Sequence, residues 1–267
     1  MGRAVNIIGI TGAAGSGKST IADILVKNHG YVCVSLADPI KRACKEFFGF
    51  TDQQLWGASE FRNAPDKRLP RRHTWPGSPW PDEYYPEYYP PCSCCGCEAN
   101  WPKTNEPCYL TPRFALQQLG TEFGRAMFED VWINYAMRDA SQLLSGVRSF
   151  EDAEGGPSPM VPVYKPNAGL YFVPAGDASL FVGRGPQCKG VVIPDCRFPN
   201  ELAAIRAVGG RIWHRPGKGN LSPSAAAHAS ETSLGEDVEC DAHIPWYPGL
   251  SELDAFVAVV LAKDEEK

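Results

Sequence analysis

The sequence has no apolar run that approaches the ~20 residues a membrane-spanning helix needs, and it carries no excess of positive charge. Its formal net charge is −5, so bulk electrostatics give no indication of a nucleic-acid-binding protein. An apolar run begins at Val5, which leaves no room for a signal peptide ahead of it. We therefore expect a cytoplasmic protein with neither a membrane nor a nucleic acid as partner, whose ten cysteines stay reduced.

The chain does have a complete phosphate-binding motif near its start. Residues 12–19 read Gly-Ala-Ala-Gly-Ser-Gly-Lys-Ser, which fits the pattern G-x-x-x-x-G-K-[ST]. A β-branched apolar run at 5–10 precedes the motif, and apolar residues at helical spacing follow it over 19–28. Glycines let successive backbone N–H groups converge on one anion, and the start of the helix adds unpaired N–H donors. The motif predicts a nucleoside triphosphate site formed by Gly12, Ala13, Ala14, Gly15, Ser16, Gly17, Lys18, Ser19 and Thr20.

Two side chains of this motif have separate expected tasks. Lys18 should reach the β- and γ-phosphates, and the Ser19 hydroxyl should ligate Mg²⁺. A second buried strand is expected at 191–195, and it ends in Asp195, where a carboxylate can support that Mg²⁺. The guanine-reading motif Asn-Lys-x-Asp does not occur, and Asp195 is followed by Cys196 rather than by a second acid that could activate water. Phosphoryl transfer to a bound acceptor is the large class that remains.

Such a transfer needs cations around the phosphoryl group, and the candidates are Lys18, Arg62, Arg113 and Arg197. Arg62 opens a basic loop over 62–73. A solvated loop is the usual meaning of such a charge run, but arginines beside a phosphate-transfer site can also clamp an acceptor phosphate. Asp38 follows the second predicted strand, where we expect it to cap the next helix, to face the acceptor, or both.

The alternation of strands and helices around the motif predicts an α/β fold, a three-layer sandwich with a mostly parallel sheet. The core of this fold is expected over 1–48 and 111–267. Residues 49–110 form an inserted acceptor-binding segment rich in cysteine and proline. A second, β-rich insertion is expected over about 149–189, because short alternating runs at 161–164, 170–173 and 179–182 indicate a hairpin or meander.

Five of the ten cysteines crowd into residues 92–108. A structural Zn²⁺ needs four thiolates or imidazoles, commonly as spaced C-x₂₋₄-C pairs, and it would fix a segment too proline-rich to bury much core. The candidate ligands are Cys92, Cys95, Cys97 and Cys108. Because Cys108 has no cysteine near it to complete a second pair, a zinc clip and unligated thiols both remain open.

Four blocks of the chain resemble the deoxynucleoside monophosphate kinases of tailed bacteriophages. They are the phosphate-binding loop at 9–20, the segment 36–41 (LADPIK), the block 113–132 with LQQLGTE at 116–122, and the run 192–210 with DCRFPNE at 195–201. The resemblance implies transfer of the ATP γ-phosphate to a deoxynucleoside monophosphate, giving ADP and the diphosphate. For a phage-encoded chain the resemblance implies the host cytoplasm as location, and it is compatible with a homodimer.

The resemblance also assigns residues by position. It implies that Arg113, Gly120, Thr121 and Trp132 belong to the acceptor site, and that Asp195, Arg197 and Glu201 face the nucleotides from a strand end. Trp132 could stack on a base or lie in the core, and Glu201 could bind a base or sugar donor or pair with Arg197 or Arg206. Two rival functions remain: a small-molecule kinase of the dephospho-coenzyme A type, and a nucleic-acid-binding ATPase whose zinc clip and basic loop form its binding module.

Overall fold

The structure is a computed structural model that describes residues 6–13, 15–71, 108–146, 148–151, 157–165, 167–174, 188–217, 234, 238–247 and 249–265. Its helices and strands, in chain order, are β1 (Ile7–Thr11), α1 (Lys18–Asn28), β2 (Tyr31–Cys33), α2 (Asp38–Phe48), α3 (Asp52–Trp56), α4 (Ser59–Asn63), β3 (Pro70–Arg71), β4 (Cys108–Tyr109), α5 (Pro112–Gln117), a π-helix (Gln118–Arg125), α6 (Val131–Ser145), β5 (Arg148–Glu151), β6 (Pro157–Lys165), β7 (Gly169–Pro174), β8 (Gly190–Cys196), α7 (Pro199–Ala207), β9 (Arg211–His214), β10 (Ala242–His243) and α8 (Leu250–Glu265). None of the helices in these ranges is both long and apolar enough to cross a bilayer.

A five-stranded sheet in the order β10-β9-β1-β8-β2 forms the centre of the fold. All of its pairings are parallel, and β1 lies in the middle between β8 and β9. Parallel neighbours need crossover connections, which the helices supply. The carboxyl ends of β1, β8 and β9 therefore meet at one edge of the sheet, where ligands of such folds bind.

Helices cover both faces of this sheet, because successive side chains of a buried strand point to opposite sides. Ile7 and Ile193 face α6 and α7, while Ile8 and Val192 face α1 and α8. All four side chains are buried, and each contributes about 1.5–3 kcal/mol of hydrophobic stabilisation. The α/β sandwich with a mostly parallel sheet is confirmed.

A separate, mainly helical cluster joins the segment 49–71 to α2 and α5. Its buried centre consists of Ile40, Cys44, Phe50, Leu55 and Ala115. Strands β3 and β4 pair antiparallel, so the two ends of the segment between them lie side by side. The first part of the predicted insertion is thus packed against the core, whereas 72–107, with most of the cysteine cluster, lies outside the described residues.

The predicted β-rich insertion is present as a three-stranded antiparallel sheet in the order β5-β6-β7. The expected runs at 161–164 and 170–173 are the paired strands β6 and β7, with Val161 opposite Val173. The third expected run, 179–182, lies outside the described residues.

Gly120 lies within the helical stretch that begins with α5. The helix is not broken there. It continues as the π-helix, in which Gly120 and Gly124 are buried. A Cβ at Gly124 would lie 2.3 Å from the Trp132 ring, and the Trp132 Nε1–H donates to the Gly120 carbonyl at 2.7 Å. Glycine is therefore used here to let an indole approach the backbone closely.

Candidate active site

The loop between β1 and α1 has the shape that its glycines permit. Gly12, Gly15 and Gly17 all have positive φ, at +141°, +78° and +93°. A Cβ at Gly12 would lie 2.1 Å from the carbonyl oxygen of Arg215, so no other residue fits at this position. Ala14 lies outside the described residues.

Lys18 is buried at the start of α1, where its ammonium group folds back onto the loop. Its Nζ donates to the carbonyls of Gly12 and Ala13, both at 2.6 Å. Burial and the nearby Arg197 guanidinium lower the pKa of Lys18 to about 8, against the opposing effect of Asp195. The loop thus holds a confined cation whose charge is costly without an anion beside it.

Ser16 also indicates an anion site in the loop, because its buried hydroxyl has no hydrogen-bond partner among the described residues. Leaving a buried hydroxyl unpaired costs free energy, about 1–3 kcal/mol for such a group. A phosphate oxygen within the loop would supply the missing partner. The hydroxyl of Ser16, the cation of Lys18 and the glycine backbone together fit a triphosphate, while Ser19, the predicted Mg²⁺ ligand, is exposed at the helix start.

Asp195 lies at the carboxyl end of β8 and ties that strand to the segment after β2. Its carboxylate accepts hydrogen bonds from the Ser35 hydroxyl at 2.6 Å and from the backbone N–H groups of Leu36 and Ala37, both at 3.0 Å. It also lies near enough to Lys18 to raise the pKa of that group. Oδ2 accepts two of these hydrogen bonds and Oδ1 accepts only one, so Oδ1 keeps a lone pair that can accept from a water on Mg²⁺.

The structure brings all four predicted cations together. Burial is the largest cause of the lowered pKa of Lys18, Arg62 and Arg197. Arg197 also lowers the pKa of Lys18 and Arg62, and Arg113 lowers that of Arg62 and Arg197. At Arg197, the carboxylates of Asp195 and Glu201 act in the opposite direction and offset part of this repulsion. Burial also lowers the pKa of Arg113. A chain of positive charges therefore runs from the phosphate-binding loop to α4. Such mutual repulsion is relieved when anions occupy the space between the charges.

Short helices present two of these arginines. Arg62, on α4, donates from Nη1 to the Gly57 carbonyl at 2.6 Å and from Nη2 to the Ser59 hydroxyl at 3.0 Å. Arg113 follows the cap Thr111 and donates from Nε to the side chain of Asn63. The turn of α4 and the start of α5 thus hold both guanidinium groups on one side of the site.

The structure corrects the expected capping role of Asp38. The residue lies inside the first turn of α2, and the N-cap position is occupied by Ala37. The two carboxylate oxygens of Asp38 instead accept from Trp56 Nε1 and from the Tyr164 hydroxyl, each at 2.9 Å, and Lys41 lies 3.6 Å away. Burial raises the pKa of Asp38. The carboxylate joins α2, α3 and the β-rich insertion, and both of its oxygens already accept hydrogen bonds from the protein.

Glu201 is buried, and it contacts the backbone of Arg197 and the guanidinium group of Arg125, a residue that the sequence had not suggested. Oε2 accepts from the backbone N–H groups of Arg197 and Phe198, and Oε1 accepts from Arg125 Nη1 at 3.2 Å. The Arg125 guanidinium also lies 3.6 Å from the centre of the Phe198 ring. Burial raises the pKa of Glu201 to about 7. The carboxylate fixes the backbone that presents Arg197.

Trp132 packs between two hydrophobic clusters and against the π-helix. Gly120 is buried within that helix, and Thr121 is half-buried beside it. Base stacking on Trp132 stays a prediction, as do the acceptor roles of Gly120 and Thr121. Among the described residues, no group of three or more His, Cys, Asp or Glu side chains is placed to hold a metal ion. Cys92, Cys95 and Cys97 lie outside them, and the side chain of Cys108 is not described, so the zinc clip stays a prediction.

Sequence reasoning missed three residues that support the site: Arg125, Tyr164 and Arg215. Arg215 had a detectable signal, because it directly follows a buried strand at the sheet edge where ligands bind. Arg125 and Tyr164 had none. Their partners Glu201 and Asp38 are 76 and 126 positions away in the chain.

Compared with models of known protein families, the chain matches none. One stretch of 62 residues, 23% of this chain, is 45% identical to a protein of Acanthamoeba polyphaga mimivirus named "Putative deoxynucleotide monophosphate kinase". The matching stretch spans about a third of that relative's length (32%). This relative comes from a giant virus of an amoeba rather than from a bacteriophage, the source that the sequence had suggested.

Proposed function

We propose that the protein is an ATP-dependent deoxynucleoside monophosphate kinase. The observation that carries the proposal is the chain of cations from Lys18 through Arg197 and Arg113 to Arg62, which begins at the phosphate-binding loop. One bound triphosphate would need only part of this charge. A second phosphate, on an acceptor, accounts for the arginines of α4 and α5, and the name of the partial relative supports a deoxynucleotide as that acceptor.

In the proposed reaction, the loop binds the triphosphate of ATP, and Lys18 exchanges the carbonyls of Gly12 and Ala13 for phosphate oxygens. Arg62 and Arg113 hold the phosphate of the acceptor. An oxygen of that phosphate attacks the γ-phosphorus, the bond between the γ-phosphorus and its bridging oxygen breaks, and ADP leaves. No strong general base is needed, because the attacking oxygen is already anionic and catalysis is mostly positioning and charge neutralisation.

Ser19 and Asp195 would hold a Mg²⁺ ion in this site, Asp195 directly or through water. When bound, Mg²⁺ neutralises charge on the β- and γ-phosphates. Asp195 has a second task that needs no metal. Through Ser35, Leu36 and Ala37 it fixes the start of α2 against the end of β8, which keeps the acceptor side of the site in register with the phosphate-binding loop.

The test is a transfer assay with γ-labelled ATP, Mg²⁺ and each of the four common deoxynucleoside monophosphates, with dephospho-coenzyme A and single-stranded DNA as parallel additions. We expect label in a deoxynucleoside diphosphate. Lys18→Ala should reduce transfer by on the order of 10²–10³, with unchanged thermal unfolding, whereas the exposed Lys263→Ala on α8 should transfer normally. Label on dephospho-coenzyme A alone, or DNA-stimulated hydrolysis without any labelled acceptor, would refute the proposal.

A further inference from the structure

Arg215 lies directly after β9 and is buried against the phosphate-binding loop, with 5% of its surface exposed. Its Nε donates to the Ser16 carbonyl at 3.0 Å, and its Nη1 donates to the Ile244 carbonyl, also at 3.0 Å. One guanidinium group therefore joins the phosphate-binding loop to the segment that follows β10.

The backbone of Arg215 contacts the other end of the same loop. Its N–H donates to the Thr11 carbonyl at 2.8 Å, and its own carbonyl oxygen occupies the space where a Cβ of Gly12 would lie. Both the entry of the loop, at Thr11 and Gly12, and its exit, at Ser16, are thus fixed by one residue.

The buried charge of Arg215 is a second indication that an anion binds beside the phosphate-binding loop. Within the part of the chain that the structure describes, the side chain of Arg215 donates hydrogen bonds to two neutral carbonyls, and no carboxylate pairs with its guanidinium group. Burial lowers the pKa of its guanidinium. A buried cation without a counter-ion is costly unless something else compensates it. A Cβ at Gly17 would lie 3.8 Å from Nε, so the charge is next to the residues that would hold an anion.

We propose that Arg215 is a positioning residue for the triphosphate, an inference that rests on the proposed function. A trans peptide is planar, so a carbonyl and the N–H of the next residue point in opposite directions. By holding the Ser16 carbonyl, Arg215 directs the Gly17 N–H towards the phosphates. By holding the Ile244 carbonyl at the same time, it fixes the loop to the C-terminal part of the sheet.

The bridge that Arg215 forms between the Ser16 and Ile244 carbonyls depends on the forked shape of the guanidinium group as well as on its charge. Two nitrogens separated by a rigid planar group reach two carbonyls at once, which a single ammonium group on a flexible stem cannot reproduce. Arg215→Lys keeps the charge and should lose the bridge. Arg215→Met removes both and keeps much of the apolar stem.

The experiment measures the dissociation constant of ATP by calorimetry without an acceptor, and the KM of the acceptor in the transfer assay. For both variants, we expect ATP affinity to fall about tenfold or more, while the acceptor KM changes less than about twofold. Arg206→Met is the matched control, because Arg206 is exposed on α7 and also donates to a backbone carbonyl, that of Glu239. It should bind ATP as the wild-type chain does.

Three results would overturn the inference: wild-type ATP affinity in both variants, wild-type affinity in Arg215→Lys alone, or equal losses for ATP and acceptor. A purely structural role predicts the last of these. The two proposals can fail separately. A wild-type chain that binds ATP but phosphorylates no acceptor refutes the kinase, and the ATP affinities of the variants still decide the role of Arg215.

Discussion

The Glu201 carboxylate accepts a 2.6 Å hydrogen bond from the backbone N–H of Arg197, so a buried acid fixes the position of a cation in the site. The same carboxylate is held by Arg125 from the π-helix. Glu201 of α7 and Arg125 of the π-helix therefore hold the backbone of Arg197 in place, and the position of Arg197 beside Lys18 depends on these two residues.

Glu201 makes stability depend on pH. Because burial raises its pKa to about 7, the folded chain binds a proton there that the unfolded chain releases above its ordinary pKa, near 4.5. Stability should fall as pH rises from about 4.5 to 7, by on the order of 3 kcal/mol, and then level off.

Urea unfolding at half-unit pH steps measures this slope. Glu201→Gln should flatten it and lower overall stability, since Arg125 then loses its buried counter-ion. Glu129→Gln, an exposed acid near the same arginine, should keep the wild-type slope. An unchanged slope in Glu201→Gln would show that another group titrates.

Arg113→Met should raise the KM of the acceptor by about 10- to 100-fold, the effect of removing a charged hydrogen-bond donor. The KM of ATP should change little, because Arg113 lies towards α4 and Asn63 rather than in the phosphate-binding loop. Steady-state kinetics with each substrate varied in turn measures both constants. Arg211→Met is the control, at the opposite end of β9 from the loop. Equal increases in both constants would contradict the assignment.

Ser16→Ala should have different effects on the thermal stability of the nucleotide-free protein and on that of the ATP-bound protein. Without nucleotide, the variant should unfold at the same temperature as wild type or slightly higher, because it removes a buried hydroxyl for which the described part of the chain supplies no partner. With saturating ATP, its stabilisation should be smaller than that of wild type, because the phosphate loses a donor. Thermal unfolding with and without ATP measures both, and Ser145→Ala, on the exposed end of α6, is the control. A normal ATP shift would exclude contact between Ser16 and the phosphates.

Tyr164→Phe should loosen the β-rich insertion from the core. The Tyr164 hydroxyl donates to Asp38, whose other oxygen holds Trp56 of α3. Losing one hydrogen bond to a buried carboxylate costs about 1.5–3 kcal/mol, which urea unfolding detects. Because α3 leads into α4, the acceptor KM should also rise. Tyr171→Phe, on the same small sheet, keeps the hydrogen bond between Tyr164 and Asp38, so it should cost less stability and leave the acceptor KM unchanged. Identical stability of the two variants would contradict this role.

The parts of the fold that depend on neighbouring residues were predictable. A strand, a glycine loop and a helix in sequence defined the site of Lys18, and alternating apolar residues located β6 and β7. Contacts between distant segments were not predictable. Asp38 was expected to cap the next helix, to face the acceptor, or both, because caps depend on local sequence. Its partners Trp56 and Tyr164 come instead from two separate insertions. Glu201 was expected to bind a base or sugar donor or to pair with Arg197 or Arg206, because nothing in the sequence indicated that Arg125 would reach it.

The cations lie between these two cases. The sequence predicted Arg62, Arg113 and Arg197 one by one as candidate cations, from their residue type and their position in the chain. Only the packing of α4, α5 and the end of β8 around the same edge of the sheet shows that their charges act on one another. The approach of Arg215 to both ends of the phosphate-binding loop likewise follows from the pairing of β1 with β9.

The most direct test of the account is a crystal structure with a bisubstrate analogue, adenosine linked to a deoxynucleoside through five phosphates. We predict that one end of the phosphate chain lies on residues 12–20 with Lys18 beside it, and that the other end lies between Arg62, Arg113 and Arg197. A complex in which the second nucleotide binds away from these three arginines would contradict the account.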